Sequence, residues 1–174
     1  MLRFLLIFLC LANYTLAQNI FDLARNGTFK QMQAHLKKHP EELHLISEHG
    51  ASPFLLAAYR GNNEVAKLLL QKGADIHYCY PEGSAIYALI YKNNLELLDM
   101  LLQKGGNPND TCQFEQLGYP LHFALSLQRI EVLQLLLQYN LDLTIQDPQG
   151  RSIAQLLALY NNPKLNELIY THEK

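Results

Sequence analysis

At 174 residues, 49% hydrophobic and 17% charged, the chain is long enough for one packed domain and too apolar for a disordered tail. Its formal net charge of −2 offers no broad basic face for nucleic acid. No run of like charge and no low-complexity segment interrupts it.

The first element has its own pattern. Arg3 precedes an apolar run from Phe4 to Ala12, and Thr15-Leu16-Ala17 follows. A charged start, an apolar core too short to span a bilayer, and small residues at −3 and −1 predict a secretory signal peptide, cleaved after Ala17. A buried N-terminal helix would need polar residues on one face, and Phe4–Leu11 has none. Cys10 leaves with that segment, so the mature chain from Gln18 keeps Cys79 and Cys112, an even pair in an oxidising compartment.

From Phe21 onward the chain repeats. Ser52–His77 reads as two short helices, broken at Gly61-Asn62-Asn63 and stopped at Gly73. Ser52 is placed to cap the first helix and Pro53 sits at its first position, where a missing N–H costs nothing. Asn62 or Asn63 is placed to cap the second, with Glu64 favoured by the dipole of its first turn. Val65, Leu68, Leu69 and Leu70 form an apolar stripe at helical spacing. Gly73 supplies the left-handed residue that ends it. Similar stretches begin at Glu82, Gly118 and Gly150, and Pro53, Ala85, Pro120 and Ile153 fall 32, 35 and 33 residues apart. A front-truncated copy lies at Phe21–Leu36, where Gly27 matches Gly61.

These copies resemble the ankyrin repeat. Ser52-Pro53-Phe54-Leu55-x-Ala57-Ala58 and Tyr119-Pro120-Leu121-His122-x-Ala124 are similar to its Thr-Pro-Leu-His-x-Ala signature, and Gly61 to His77 follows its second half closely. The resemblance implies an all-α solenoid of about five stacked helix-turn-helix units over 18–174, with approximate repeats 18–47, 48–80, 81–113, 114–146 and 147–174. It also implies a structural, finger-bracing role for His122. The degenerate end copies fit a solenoid, whose terminal repeats face water.

In that architecture the two residues before the inter-helix corner and the loops after each second helix line one concave side. Carried over by position, they are Arg25/Asn26, Tyr59/Arg60, Tyr91/Lys92, Ser126/Leu127 and Leu159/Tyr160, with His77 to Tyr80, Asp110 to Gln116 including Phe114, and Gln146 to Gln149 in the loops. Tyrosine and arginine are enriched among interface hot spots, so Tyr59, Arg60, Tyr78, Tyr80, Tyr91, Lys92, Phe114 and Tyr160 are the expected partner-binding residues. The alternative for the tyrosines is packing between helices with the hydroxyl in water. The longer Asp110–Leu117 connection accounts for the 35-residue offset, and Phe114 on it is either an anchor or a plug. Cys79 and Cys112 occupy nearly equivalent places on adjacent fingers. They are candidates for a disulfide or for two free thiols, because equivalent positions in neighbouring repeats normally sit beyond bridging distance.

Catalytic signatures are missing: the chain has no Gly-x-Ser-x-Gly, no phosphate-cradling glycine loop and no His-Glu-x-x-His. His35 and His39 lie four apart, a spacing that can hold a metal, but they read as an ordinary solvated helix end, so no metal and no cofactor is expected. The expectation is an exported or periplasmic monomer that is not an enzyme and binds another protein through its concave face and loops. An immunity protein and an accessory factor for a periplasmic enzyme both fit, and a secreted effector engaging a host protein stays open beside them.

Overall fold

The computed structural model describes residues 19–80, 83–112 and 118–172. The expected signal peptide and Phe114 lie outside the described residues. Five helix pairs follow one another: α1 (Ile20–Asn26) and α2 (Phe29–Lys38), α3 (Pro53–Arg60) and α4 (Asn63–Gln71), α5 (Ala85–Tyr91) and α6 (Leu95–Gln103), α7 (Pro120–Ser126) and α8 (Ile130–Leu137), α9 (Ile153–Tyr160) and α10 (Pro163–His172). A short 3₁₀ turn at Pro40–His44 follows α2. The described residues contain no strand beyond an isolated bridge between Tyr80 and Gly83.

Local chemistry sets the helix ends. The Ser52 hydroxyl accepts from the Leu55 amide at 3.1 Å and Pro53 opens α3. Thr28 with Gln31, and Ser152 with Gln155, close reciprocal capping boxes on α2 and α9. After α4 the Ala74 amide bonds the Leu69 carbonyl and the Gly73 amide bonds the Leu70 carbonyl, with Gly73 at φ +90°. The same arrangement closes α6 at Gly105 and Gly106. Both are Schellman ends, which need a left-handed residue.

The helices stack in two rows. The first helices pack α1 on α3, α3 on α5 and α5 on α7, while the second helices pack α2 on α4, α4 on α6, α6 on α8 and α8 on α10. Ala57 and Ala58 are fully buried, which lets neighbouring layers approach closely, and Val65, Leu69, Leu97, Leu98, Val132, Leu133 and Leu136 are wholly buried between rows. Each such leucine contributes about 1.5–3 kcal/mol of burial. Met100, Leu135 and Leu137 on the same helices stay partly exposed and add less to that cohesion.

The asparagine expected to cap α4 has another task. Asn62 makes no side-chain cap. Its Nδ2 donates to the carbonyls of Leu23, Ala24 and Gly27 at 3.5, 3.2 and 2.9 Å, tying the second repeat to the first. Asn94 donates to Asn63 at 2.8 Å, and Asn162 donates to Gln128 at 3.0 Å. At the remaining junction Arg129 donates to the Tyr91 carbonyl at 3.3 Å and leaves its Nε buried without a hydrogen-bond partner. Every repeat junction is therefore clasped from the same corner position. Gly27 differs from its counterpart Gly61: it is not left-handed, and a Cβ there would lie 2.6 Å from the Leu23 carbonyl oxygen.

The loops after the second helices are braced and linked in turn. Carboxylate or amide oxygens of Asp75, Asn107 and Asp142 accept from backbone amides two residues on. Asn109 joins the third and fourth loops, donating to the Asn140 carbonyl and accepting from the Asp142 amide. Cys79 and Cys112 join the second and third as a disulfide with Cα atoms 5.6 Å apart. His122 is buried at the start of α7; its Nδ1 accepts from the Tyr119 amide at 3.2 Å, so Nε2 carries the proton facing the Ile145 carbonyl at 3.2 Å.

Leu69→Ala is expected to lower stability by about 2–5 kcal/mol through the cavity it leaves. Gly73→Ala is expected to cost about 1–2 kcal/mol from backbone strain alone, since a Cβ there meets nothing within 4 Å. Urea titration of both variants checks the two values. A second expectation concerns His122, whose pKa is held below its ordinary value of 6.5, first by burial and against the opposing pull of the Ile145 carbonyl. The unfolded chain then binds more protons in the window below 6.5, so this stability is complete above that pH and is lost as pH falls through the window. The urea midpoint should fall between about pH 7 and about pH 5, and His122→Gln should flatten that fall.

Candidate concave binding groove

The first helices of the repeats turn one face away from the second row. Among the described residues seven large apolar side chains are conspicuously exposed, and three of them, Tyr59 (53%), Tyr91 (49%) and Leu159 (61%), hold the same repeat position on α3, α5 and α9. Ser126 is the small exposed counterpart on α7. A scaffold that needed this position for cohesion would bury it.

Between Tyr59, Tyr91 and Ser126 runs a groove of about 610 Å³. Leu55, Leu56, Tyr87, Ala88 and Phe123 form its floor, and Arg25, His49, Tyr59, Arg60, Tyr80, Tyr91 and Ser126 stand around them. The floor is fixed from below: Tyr87 packs on Phe123 with ring centroids 5.8 Å apart and donates its hydroxyl to the Gly118 carbonyl at 2.9 Å. Burial and the nearby Asp110 carboxylate push that hydroxyl far above its ordinary pKa, so it stays a donor. At one edge the Ser84 hydroxyl bonds the Asp110 carboxylate, which also accepts the Cys112 amide.

On the rim, Tyr59 and Tyr91 stack with centroids 6.3 Å apart and planes 13° from parallel. The Lys92 ammonium lies 5.6 Å from the first ring and 5.5 Å from the second. Two aromatic faces and a cation are thus held together at the surface, where each such contact is worth about 0.5–1 kcal/mol.

Of the predicted residues, Tyr59, Arg60, Tyr80 and Tyr91 line the groove and Lys92 sits over its rings. Tyr78 does not line it; its hydroxyl donates to the Gly50 carbonyl at 2.7 Å, so it braces the neighbouring loop. Tyr160 packs partly into the core, and that burial raises its hydroxyl pKa, while its neighbour Leu159 is the residue turned outward. Phe114 is among the residues not described. Sequence reasoning missed Leu55, Leu56, Tyr87 and Phe123. The available signal was their spacing, because Leu56, Ala88 and Phe123 repeat at offsets of 32 and 35.

Two other places were weighed. A hollow of about 750 Å³ near Lys30, Lys37 and Lys72 is bordered by long side-chain ends and has no aromatic wall. His39, Glu41 and Glu42 bring donor atoms within 4.8 Å of one another, and the His35 Nε2 lies 2.8 Å from Glu42. These groups satisfy one another at the end of α2, as histidine near a helix C-terminus commonly does.

A family model described as "Ankyrin repeats (3 copies)" matches residues 20–112 and 54–147. The chain belongs to the ankyrin repeat family, an all-α repeat solenoid. Such repeats typically serve as non-catalytic modules for protein–protein interaction. A search of curated proteins gives no match. No helix among the described residues is long and apolar enough to cross a membrane.

Proposed function

We propose that this protein is an exported, non-catalytic docking module that holds one partner protein in the concave groove. The observation that carries the reading is the exposure of Tyr59 and Tyr91 at one repeat position beside an apolar floor, with Leu159 exposed at the same position of the last repeat. A groove of this size with a few placed polar groups suits the anchoring side chains of a partner. Export is supported by the N-terminal pattern ending at Ala17 and by a disulfide, which persists in oxidising compartments. Protection against a toxin and assistance to a periplasmic enzyme both call for such a small rigid binder.

Two outcomes are expected. Tyr59→Ala with Arg60→Ala should leave the thermal midpoint nearly unchanged, since both side chains are exposed, and weaken partner capture by more than about 1 kcal/mol. The assay is affinity capture from the native envelope fraction with the wild-type and doubly substituted chains in parallel. If the double change melts the protein, Tyr59 and Arg60 belong to the core and the reading fails. Mass measurement of the exported chain should give an N-terminus at or within a residue or two of Gln18. Reduction should then expose two alkylatable thiols, at Cys79 and Cys112.

A further inference from the structure

Resting on that docking reading, we infer that the groove takes an acidic segment of its partner protein, with an apolar side chain against Tyr59 and Tyr91 and carboxylates against Arg60 and Lys92. The chain holds 16 acidic and 14 basic residues, yet among the described residues the groove is lined by Arg25 and Arg60 and by no carboxylate. Ion pairing differs between the outer row and the groove. On the outer row, Lys67 is paired twice, with Glu96 at 2.7 Å and Glu64 at 3.4 Å. Of the concave cations, Arg25 meets Asp22 at 3.4 Å, whereas no carboxylate among the described residues lies within ion-pair distance of Arg60 or Lys92. Asp110, at the groove edge beside Ser84, accepts from the Ser84 hydroxyl and the Cys112 amide.

Lys92 in particular is held by ring faces rather than by an anion. A partner carboxylate can reach its ammonium while an apolar neighbour covers the rings, so both interactions are kept. The groove volume of about 610 Å³ accommodates a short segment with one or two anchors. A protein segment fits better than a nucleic acid strand. Neutralised phosphates supply most of the affinity for a nucleic acid, and three cations offer few such contacts.

The test is selection of random peptides of about 12 residues, a length that spans the groove, displayed on phage against the full mature chain. The enriched pool should carry several Asp or Glu beside an aromatic or aliphatic residue. Arg60→Gln with Lys92→Gln should weaken those peptides at least about tenfold, and their Gln-substituted versions less than about twofold. Raising salt from about 0.05 M to about 0.5 M should weaken them several-fold. Ser126→Trp, which fills the groove from an exposed position, should abolish binding while the circular dichroism melt stays in place. Neutral or basic peptides that Ser126→Trp still blocks would overturn the acidic partner and leave docking standing. Peptides indifferent to Ser126→Trp, or no enrichment at all, would overturn both readings. Displacement of the peptides by an oligothymidylate of about 20 nucleotides would overturn the protein partner in favour of a single strand.

Discussion

Each α-helix among the described residues is seven to ten residues long, below the length at which a helix holds its shape in water. Burial between successive pairs removes that weakness. Leu69, Leu97, Leu98, Val132 and Leu133 are wholly shielded only because the next repeat covers them. The small Ala57, Ala58 and Ala124 set how near the first helices come. Stability is thus a sum over junctions, as expected of a quasi-one-dimensional array.

Polar groups register what apolar burial cannot specify alone. Apolar layers can slide, but Asn62, Asn94, Arg129 and Asn162 each reach back from the same corner to a backbone or amide oxygen of the preceding repeat. Finger links at Cys79–Cys112 and at Asn109 repeat the arrangement on the far side. With both sides pinned, the first helices are left to present one face that cohesion does not need. That face carries the stacked tyrosines and the groove.

Most of the fold was legible because the repeat states the same local chemistry several times. Ser52 capping α3, Pro53 opening it, and Gly73 ending α4 all act within a few residues of themselves, so sequence alone suffices to read them. Asn62 could not be read that way. Its partners Leu23, Ala24 and Gly27 lie 35 to 39 residues away, and a capping assignment is the local alternative to a tertiary bond. The site was legible in its rim and not in its floor. Tyr59 and Tyr91 stand out as large residues at a solvent position, whereas Leu56, Tyr87 and Phe123 look in composition like any core residue. The choice between Leu159 and Tyr160 turns on one step of helical phase, about 100° of rotation, which a degenerate terminal repeat does not define.

The disulfide between the second and third fingers has a consequence for how the array comes apart. Linear assemblies fray from their ends, and the first and last units have a neighbour on one side only. Cys79 and Cys112 weld the two units that carry Tyr59 and Tyr91, so unzipping from the C-terminus meets a closed link before it reaches Tyr91, and unzipping from the N-terminus leaves the two units tethered. The outer units can breathe while the two tyrosine-bearing units stay joined, so the walls supplied by Arg25 and Phe123 loosen before that central pair of units separates.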